Sequence, residues 1–317
     1  MAVIRMSDHP DKSLSQVLAG FSGMLIVDRA TELGGSQAVQ VSEAVSLRFE
    51  IGGYLNNGRN NQQVLTLNGC GFEAERRRIL GVTTPNGIAY TPTLECGQKP
   101  PAIDRIYPEW WGAIPDGEAH EVIWRDRNNP RKYIRTDALA LAIGFAQAVG
   151  WGDKHSGFAV SLGDGFYAIT DTVLVVNTIT IRGTNPALSR IIMLTTEDAP
   201  RKACLILAGE RTRKPSGSWK TTQIARESII SDVGFESSDG LGIGLQVGQL
   251  QAETPHLGPC SCTFTNLRFR KLCVGIRQER GYANTYINPD IYNCVRGIEL
   301  LGHSMNTFVS PMIGGRS

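Results

Sequence analysis

The chain has 317 residues, a formal net charge of +2, 41% hydrophobic and 20% charged residues, the composition of a globular chain and not a disordered one. A charge so near balance argues against a general affinity for nucleic acid or an anionic membrane. No stretch approaches the roughly 20 apolar residues of a membrane-spanning helix, and MAVIRMSDHPDKSL at the N-terminus lacks a signal-peptide core, so neither export nor membrane insertion is expected.

Residues 1–23, with a short helix-like SLSQVLAGF at 13–21, precede the first strand pattern. From residue 24 short apolar runs ended by Gly, Asn or Asp dominate: MLIVD (24–28), VSLRFEIGG (45–53) and VLTLNG (64–69). IYPEWWGAIPDG (106–117) follows as a rigid connector between two prolines, then a polar insertion at 118–135 read as a loop or hairpin. Thr136 is the expected N-cap of one amphipathic helix, DALALAIGFAQAVG, with Leu139, Ala142, Ile143, Ala146 and Val149 on one stripe. A single helix among strands is expected to cap an open sheet edge or coil end.

Strand patterns resume at FAVSL (158–162), VLVVNTITIRG (173–183), RIIML (190–194) and ACLIL (203–207). They continue through SIISDVGFES (228–237), GIGLQVG (242–248), CTFTNLRFR (262–270), VGIRQ (274–278), TYINPDIYN (285–293) and GIELLG (297–302). Gly275-Ile276 recurs as Gly297-Ile298, 22 residues on. A period in the low twenties, built from two or three short strands, is that of one coil of a parallel β-helix, in which each coil buries its inner face against its neighbours. The expected division is a short segment at 1–23, β-rich coils at 24–106, connector, insertion and helix at 107–150, and further coils at 151–317 with an uncapped C-terminal end.

The seven cysteines, at 70, 96, 204, 260, 262, 273 and 294, are an odd and scattered set, expected to be reduced and buried. Cys260 and Cys262 have no second Cys or His pair at ligand spacing, so neither a metal nor another cofactor is expected.

The order SLRFEIGGYL, VLTLNG, FEAERRRIL (72–80), IYPEWWGAIPDG, helix, VSLGDGFYAI (160–169), NTITIRGTN (177–185) resembles the N-terminal half of the pectate-lyase-like right-handed β-helix superfamily, and within it bacteriophage tailspikes. The resemblance spans roughly residues 40–190. It rests on a Trp-Gly-Ala-x-x-Asp-Gly segment leading into a capping helix, a Gly-x-Tyr turn and a strand ending in Arg-Gly. The 118–135 insertion and Gly163, where Pro is common, depart from the pattern. The resemblance implies an all-β fold: a single-stranded right-handed parallel β-helix with one capping helix. It further implies a homotrimeric virion tail protein assembled in the host cytoplasm, docked to other tail proteins through residues 1–23 and recognising host surface polysaccharide.

Glu109, Trp110 and Trp111 offer a sugar-stacking platform with its own carboxylate, or a structural plug between coils and helix, with Asp116-Gly117 as the turn; the plug is the expected reading. Asn288-Pro289-Asp290 and Gly302-His303-Ser304 superficially resemble polygalacturonase motifs, but the paired aspartates and basic segment of those enzymes are missing. Glycoside hydrolysis needs two carboxylates at about 5 Å or roughly 6.5–9.5 Å. Glu279 and Glu299, near one coil apart, are the pair that a shared face would unite. Asp290 and Asp232 are further candidates, and Arg268, Arg270 and Arg277 are the cations a lyase would use. Residues 201–226 carry seven basic residues against one acid, and Arg211, Arg213, Lys214, Trp219 and Lys220 are expected to bind a glycan or a partner subunit. The expected function is host-polysaccharide recognition by a phage tail protein. The alternatives are a polysaccharide hydrolase or lyase and a purely structural β-helical shaft.

Overall fold

The computed structural model describes residues 2–34, 38–56, 63–83, 89–125, 133–148, 158–194, 202–213, 219–248, 258–302 and 305–315. By internal contacts the chain forms two units, Met1–Ala113 with His120–Val149, and Ile114–Ala119 with Gly150–Ser317. Both are built mainly of short parallel strands.

In the second unit three parallel sheets are visited in turn. Ala159–Ser161, Thr180–Arg182, Ile229–Ser231, Thr263–Thr265, Thr285–Ile287 and Thr307–Val309 form a six-stranded sheet. Asp116–Ala119, Gly165–Ile169, Ser189–Met193, Gly234–Ser237, Arg268–Arg270, Asp290–Tyr292 and Met312–Gly314 form a seven-stranded one. Val173–Val175, Ala203–Leu207, Ile243–Val247, Val274–Gln278 and Arg296–Leu300 form a five-stranded one. One strand from each sheet, taken in sequence, makes a rung, and each rung pairs in parallel with the next.

Alternation fixes which side chains turn inward. Val160, Ile181, Ile230, Phe264 and Tyr286 are register neighbours in the six-stranded sheet, and all are buried. Tyr167, Ile191, Phe235, Phe269 and Ile291 do the same in the seven-stranded sheet. Like rings fall on like rings: Phe235 stacks on Phe269 at 5.3 Å, Phe264 on Tyr286 at 4.7 Å and Tyr286 on Phe308 at 4.5 Å. A rung cannot bury its apolar face alone, so the stacking itself is the core.

The corners explain why long apolar runs were legible as strands but not as pairs of strands. SIISDVGFES breaks at Asp232 (φ 59), CTFTNLRFR at Asn266 (φ 50) and TYINPDIYN at Asn288 (φ 50). One left-handed residue turns the chain from one sheet to the next, a conformation that Asn and Asp tolerate better than most. The side chains join as a ladder: Asn266 Nδ2 donates to Asp232 Oδ1 at 3.0 Å, and Asn288 Nδ2 to Asn266 Oδ1 at 3.2 Å. VLVVNTITIRG likewise splits into Val173–Val175 and Thr180–Arg182.

Two glycines answer close approaches. Gly165 has φ 116, and a Cβ there would lie 2.2 Å from the Pro115 carbonyl oxygen; a Cβ on Gly183 would lie 2.1 Å from that of Asp232. Neither position admits a side chain. Beside the first, the Tyr167 hydroxyl accepts a hydrogen bond from the Gly163 amide at 2.8 Å.

The first unit is also rung-like. Val3–Arg5, Gly23–Val27, Val45–Phe49 and Gly71–Ala74 form a parallel sheet, and Val39–Val41, Val64–Leu67 and Thr93–Cys96 another. Residues 2–23 lie on its first rung. Val3–Arg5 pairs with Met24–Ile26, and Met6, Leu14 and Val17 are buried. Arg29 donates to the carbonyls of Met6 and His9 at 2.9 and 2.8 Å. In this segment the helix α1 (Leu14–Leu18) opens with the Ser13 amide donating to Gln16 Oε1 at 2.8 Å.

The polar insertion is a hairpin, Glu121–Arg125 antiparallel to Tyr133–Asp137. The strand continues through Thr136, which pairs with Val122, so the helix α2 (Ala138–Ala148) begins one residue later than expected and Thr136 is not its N-cap. The Ala138 amide instead donates to the His120 carbonyl at 3.0 Å. Leu139, Ala142, Ile143 and Ala146 are buried, and α2 packs on Thr93–Cys96, the last strand of its sheet. Val149 lies outside the described residues.

Candidate functional site

Trp110 and Trp111 are 1% and 3% exposed, and Glu109 beside them is buried. The three sit in a short 3₁₀ turn, Pro108–Trp111, ended by Gly112 in the left-handed region. The rings form a chain through the first unit. Phe49 meets Phe72 at 5.3 Å, Phe72 meets Trp110 at 5.2 Å, Trp110 meets Trp111 at 6.1 Å, and Trp111 meets Phe145 of α2 at 5.8 Å. Trp110 Nε1 donates to the Glu75 carbonyl at 3.0 Å. Neither indole presents a face on which a sugar could stack. In the second unit Asp116 Oδ1 accepts the Glu118 amide at 2.9 Å around Gly117 (φ 90), a local turn inside the first strand of the seven-stranded sheet.

The carboxylates proposed for catalysis separate into three places. Glu279 and Glu299 do come to one side of the five-stranded sheet, but Arg277 stands between them, with Nε donating to Glu299 Oε2 at 2.6 Å and Nη1 4.0 Å from Glu279 Oε1. Arg296 also donates to Glu299. Burial of Glu299 opposes its ionisation, yet the hydrogen bonds from Arg277 and Arg296 outweigh it and hold the carboxyl below its ordinary range. A general acid needs the opposite shift. Asp232 belongs to the corner ladder, and Asp290 accepts Arg268 Nε at 2.7 Å.

Arg211, Arg213, Trp219 and Lys220 lie on an antiparallel excursion, Gly209–Arg213 with Trp219–Ile224, where Arg213 pairs with Trp219 and Thr212 with Lys220. Lys214 falls outside the described residues, as does His303. The excursion leaves the rungs in register: Leu207 before it pairs with Val247 after it.

The outward face of the seven-stranded sheet gathers the most varied chemistry. Phe166, Arg190, Gly234, Arg268 and Asp290 are successive register neighbours, and Glu236, Arg270 and Tyr292 form a second line two residues along. The Arg190 guanidinium lies 4.9 Å over the Phe166 ring, and its Nη1 is 3.2 Å from Glu236 Oε2. Lys271 Nζ, at the following corner, reaches Glu236 Oε1 at 2.8 Å. Arg270 lies 5.7 Å over the ring of Tyr292, which is 44% exposed. With Asp116, the register neighbour of Phe166, two rings, four basic side chains and three carboxylates thus share one surface.

Sequence reading named Arg268, Arg270 and Asp290, and weighed Glu236 only as a carboxylate beside Asp232, but not Arg190, Lys271 or Tyr292. The signal was strand alternation at the 22-residue interval, which joins Arg268 to Asp290. Arg190 and Glu236 are 46 residues apart, and the antiparallel excursion Gly209–Ile224 lies between them within one rung. Among the described residues no three His, Cys, Asp or Glu side chains converge to hold a metal ion, and no helix is long and apolar enough to cross a membrane.

No protein-family model and no curated protein matches the chain. Among solved structures it is similar to a chain described as Geobacillus virus E2 ORF18, at 12% identity and a TM-score of 0.43, over 66% of this chain. The matched region spans 42% of that protein.

Proposed function

We propose that the second unit is a right-handed parallel β-helix of a bacteriophage tail protein, and that it binds host surface polysaccharide on the outward face of its seven-stranded sheet. Three parallel sheets entered in turn, with a left-handed residue at corners such as Asp232, Asn266 and Asn288, support the winding. The crossover rule, which holds for about 98% of parallel connections, supports a right-handed winding. The observation that carries the binding reading is the row of Phe166, Arg190, Arg268, Arg270 and Tyr292. Exposed aromatic rings cover the apolar faces of pyranoses, and arginine forks hydrogen-bond their oxygens. The antiparallel excursion with Arg211, Arg213, Lys214, Trp219 and Lys220 is a second contact in this reading. Homotrimerisation and docking to other tail proteins complete it.

Binding of the purified chain to a panel of bacterial surface polysaccharides tests the reading, with reducing-end release followed in parallel. We expect binding that weakens in Arg268→Ala and Tyr292→Ala at unchanged melting temperature, without reducing-end release. Absence of binding across the panel would remove the polysaccharide reading. Release of reducing ends would turn it into a depolymerase. Light scattering gives the assembly, with a mass near three times 34.5 kDa expected for the trimer.

A further inference from the structure

Resting on that reading, we infer that this face selects an acidic polysaccharide, and that Arg270 on the ring of Tyr292 is the subsite for its carboxylate. The other three cations of the face are already occupied. Arg190 and Lys271 share the two oxygens of Glu236, and Arg268 is held by Asp290. Arg270 differs from them. It stands beside Glu236 in register, yet among the described residues no carboxylate comes within ion-pair distance of it, since both Glu236 oxygens are taken. Its Nε is shielded from solvent and has no acceptor.

A guanidinium held over an aromatic ring is oriented without being neutralised. Its remaining donors match a carboxylate in two-pronged geometry, which an uncharged hydroxyl cannot reproduce. Tyr292, partly exposed beside it, supplies the apolar surface for the pyranose that bears the carboxylate. With Asp116, the register neighbour of Phe166, the face sets three carboxylates against four cations. Among the described residues Arg270 is the cation of this face with no carboxylate beside it.

The test uses the full-length chain and a panel of acidic capsular polysaccharides, each assayed native and after its carboxyls have been reduced to alcohols, with neutral dextran alongside. Native polymers should bind, and their reduced forms and dextran should lose binding about ten- to a hundredfold. Arg270→Gln should produce a similar loss on native polymer and little change on the reduced form. Arg270→Lys should recover part of the affinity, because it restores charge but not the fork. Should Arg270→Gln fail to fold, Tyr292→Ala reads the same subsite and should weaken native polymer at unchanged melting temperature. Equal binding of native and reduced polymers, or full affinity in Arg270→Gln, overturns the inference and leaves polysaccharide binding standing. Failure of every polymer to bind removes both.

Discussion

Arg277 and Glu299 face each other across adjacent rungs, 22 residues apart in sequence, with the guanidinium Nε 2.6 Å from the carboxylate. Arg268 and Asp290 repeat the relationship on the neighbouring sheet at the same interval and 2.7 Å. Basic and acidic residues separated by one rung are cross-strand neighbours, so the winding converts a sequence interval into an ion pair.

The first pair sets a pH dependence. Because the folded carboxyl of Glu299 ionises below its ordinary range, its contribution is present above the unfolded value and lost as pH falls through the folded one. Glu299→Gln should cost no more than about 1 kcal/mol at neutral pH, as expected for a partly solvated pair. The difference from the native chain should shrink as pH falls below the ordinary carboxylate range. Urea denaturation of both proteins at about pH 7 and about pH 3 measures it.

Tyr286 is fully buried, and its hydroxyl donates to Gln278 Oε1 at 2.6 Å. Burial pushes its ionisation far above that of a free tyrosine. Tyr286→Phe should destabilise by about 1–3 kcal/mol, since Gln278 is left with an unsatisfied acceptor. In an alkaline absorbance titration, one tyrosine should ionise only as the protein unfolds.

The cysteines give a second, oppositely signed dependence. Burial raises the thiols of Cys70 to about 11 and of Cys96, Cys204 and Cys262 to about 12. Stability from these neutral thiols is complete below the free value of 9.0 and is lost as pH climbs through the folded values. A thiol reagent at mildly alkaline pH should therefore modify these four slowly in the folded chain and rapidly in denaturant. Fast labelling of Cys204 in the folded state would contradict its burial.

The corner ladder is testable by its backbone. Asn266→Ala should destabilise by about 1–2 kcal/mol, because alanine bears the left-handed penalty that asparagine tolerates. Asn266→Gly should cost less, since it removes the ladder bond but relieves the backbone. Melting temperatures of the two variants rank the contributions.

Trp111 joins Trp110 to Phe145 of α2 with its ring almost wholly covered. Trp111→Ala should cost about 3–5 kcal/mol, read as loss of cooperative unfolding in the first unit. A variant with native stability but altered glycan binding would restore the platform reading of this segment.

Strand alternation and the Gly-Ile interval made the parallel strands of the second unit legible, because only inward positions must be apolar and they recur with the rung. The corners were not legible. A lone Asn or Asp inside an apolar run has the composition of a strand, and only its φ marks the turn. Thr136 misled for a related reason: it has the chemistry of a helix cap, but pairing with Val122 extended the hairpin through it. At the candidate surface, Asp290 was visible as a carboxylate, while its partner Arg268 became meaningful only through register. The pairing of Arg190 with Glu236 was beyond reach, since the antiparallel excursion between them carries no period.

The antiparallel excursion at Gly209–Ile224 enters and leaves the winding without shifting it, as Leu207 and Val247 remain partners across it. The scaffold thus keeps its inventory of inward residues separate from whatever is grafted at its corners. Length and charge can vary there freely, each doubling of a loop adding only about 0.6 kcal/mol of closure entropy. Such a chain can change what it touches by exchanging one insertion for another, while its buried columns inherit unchanged.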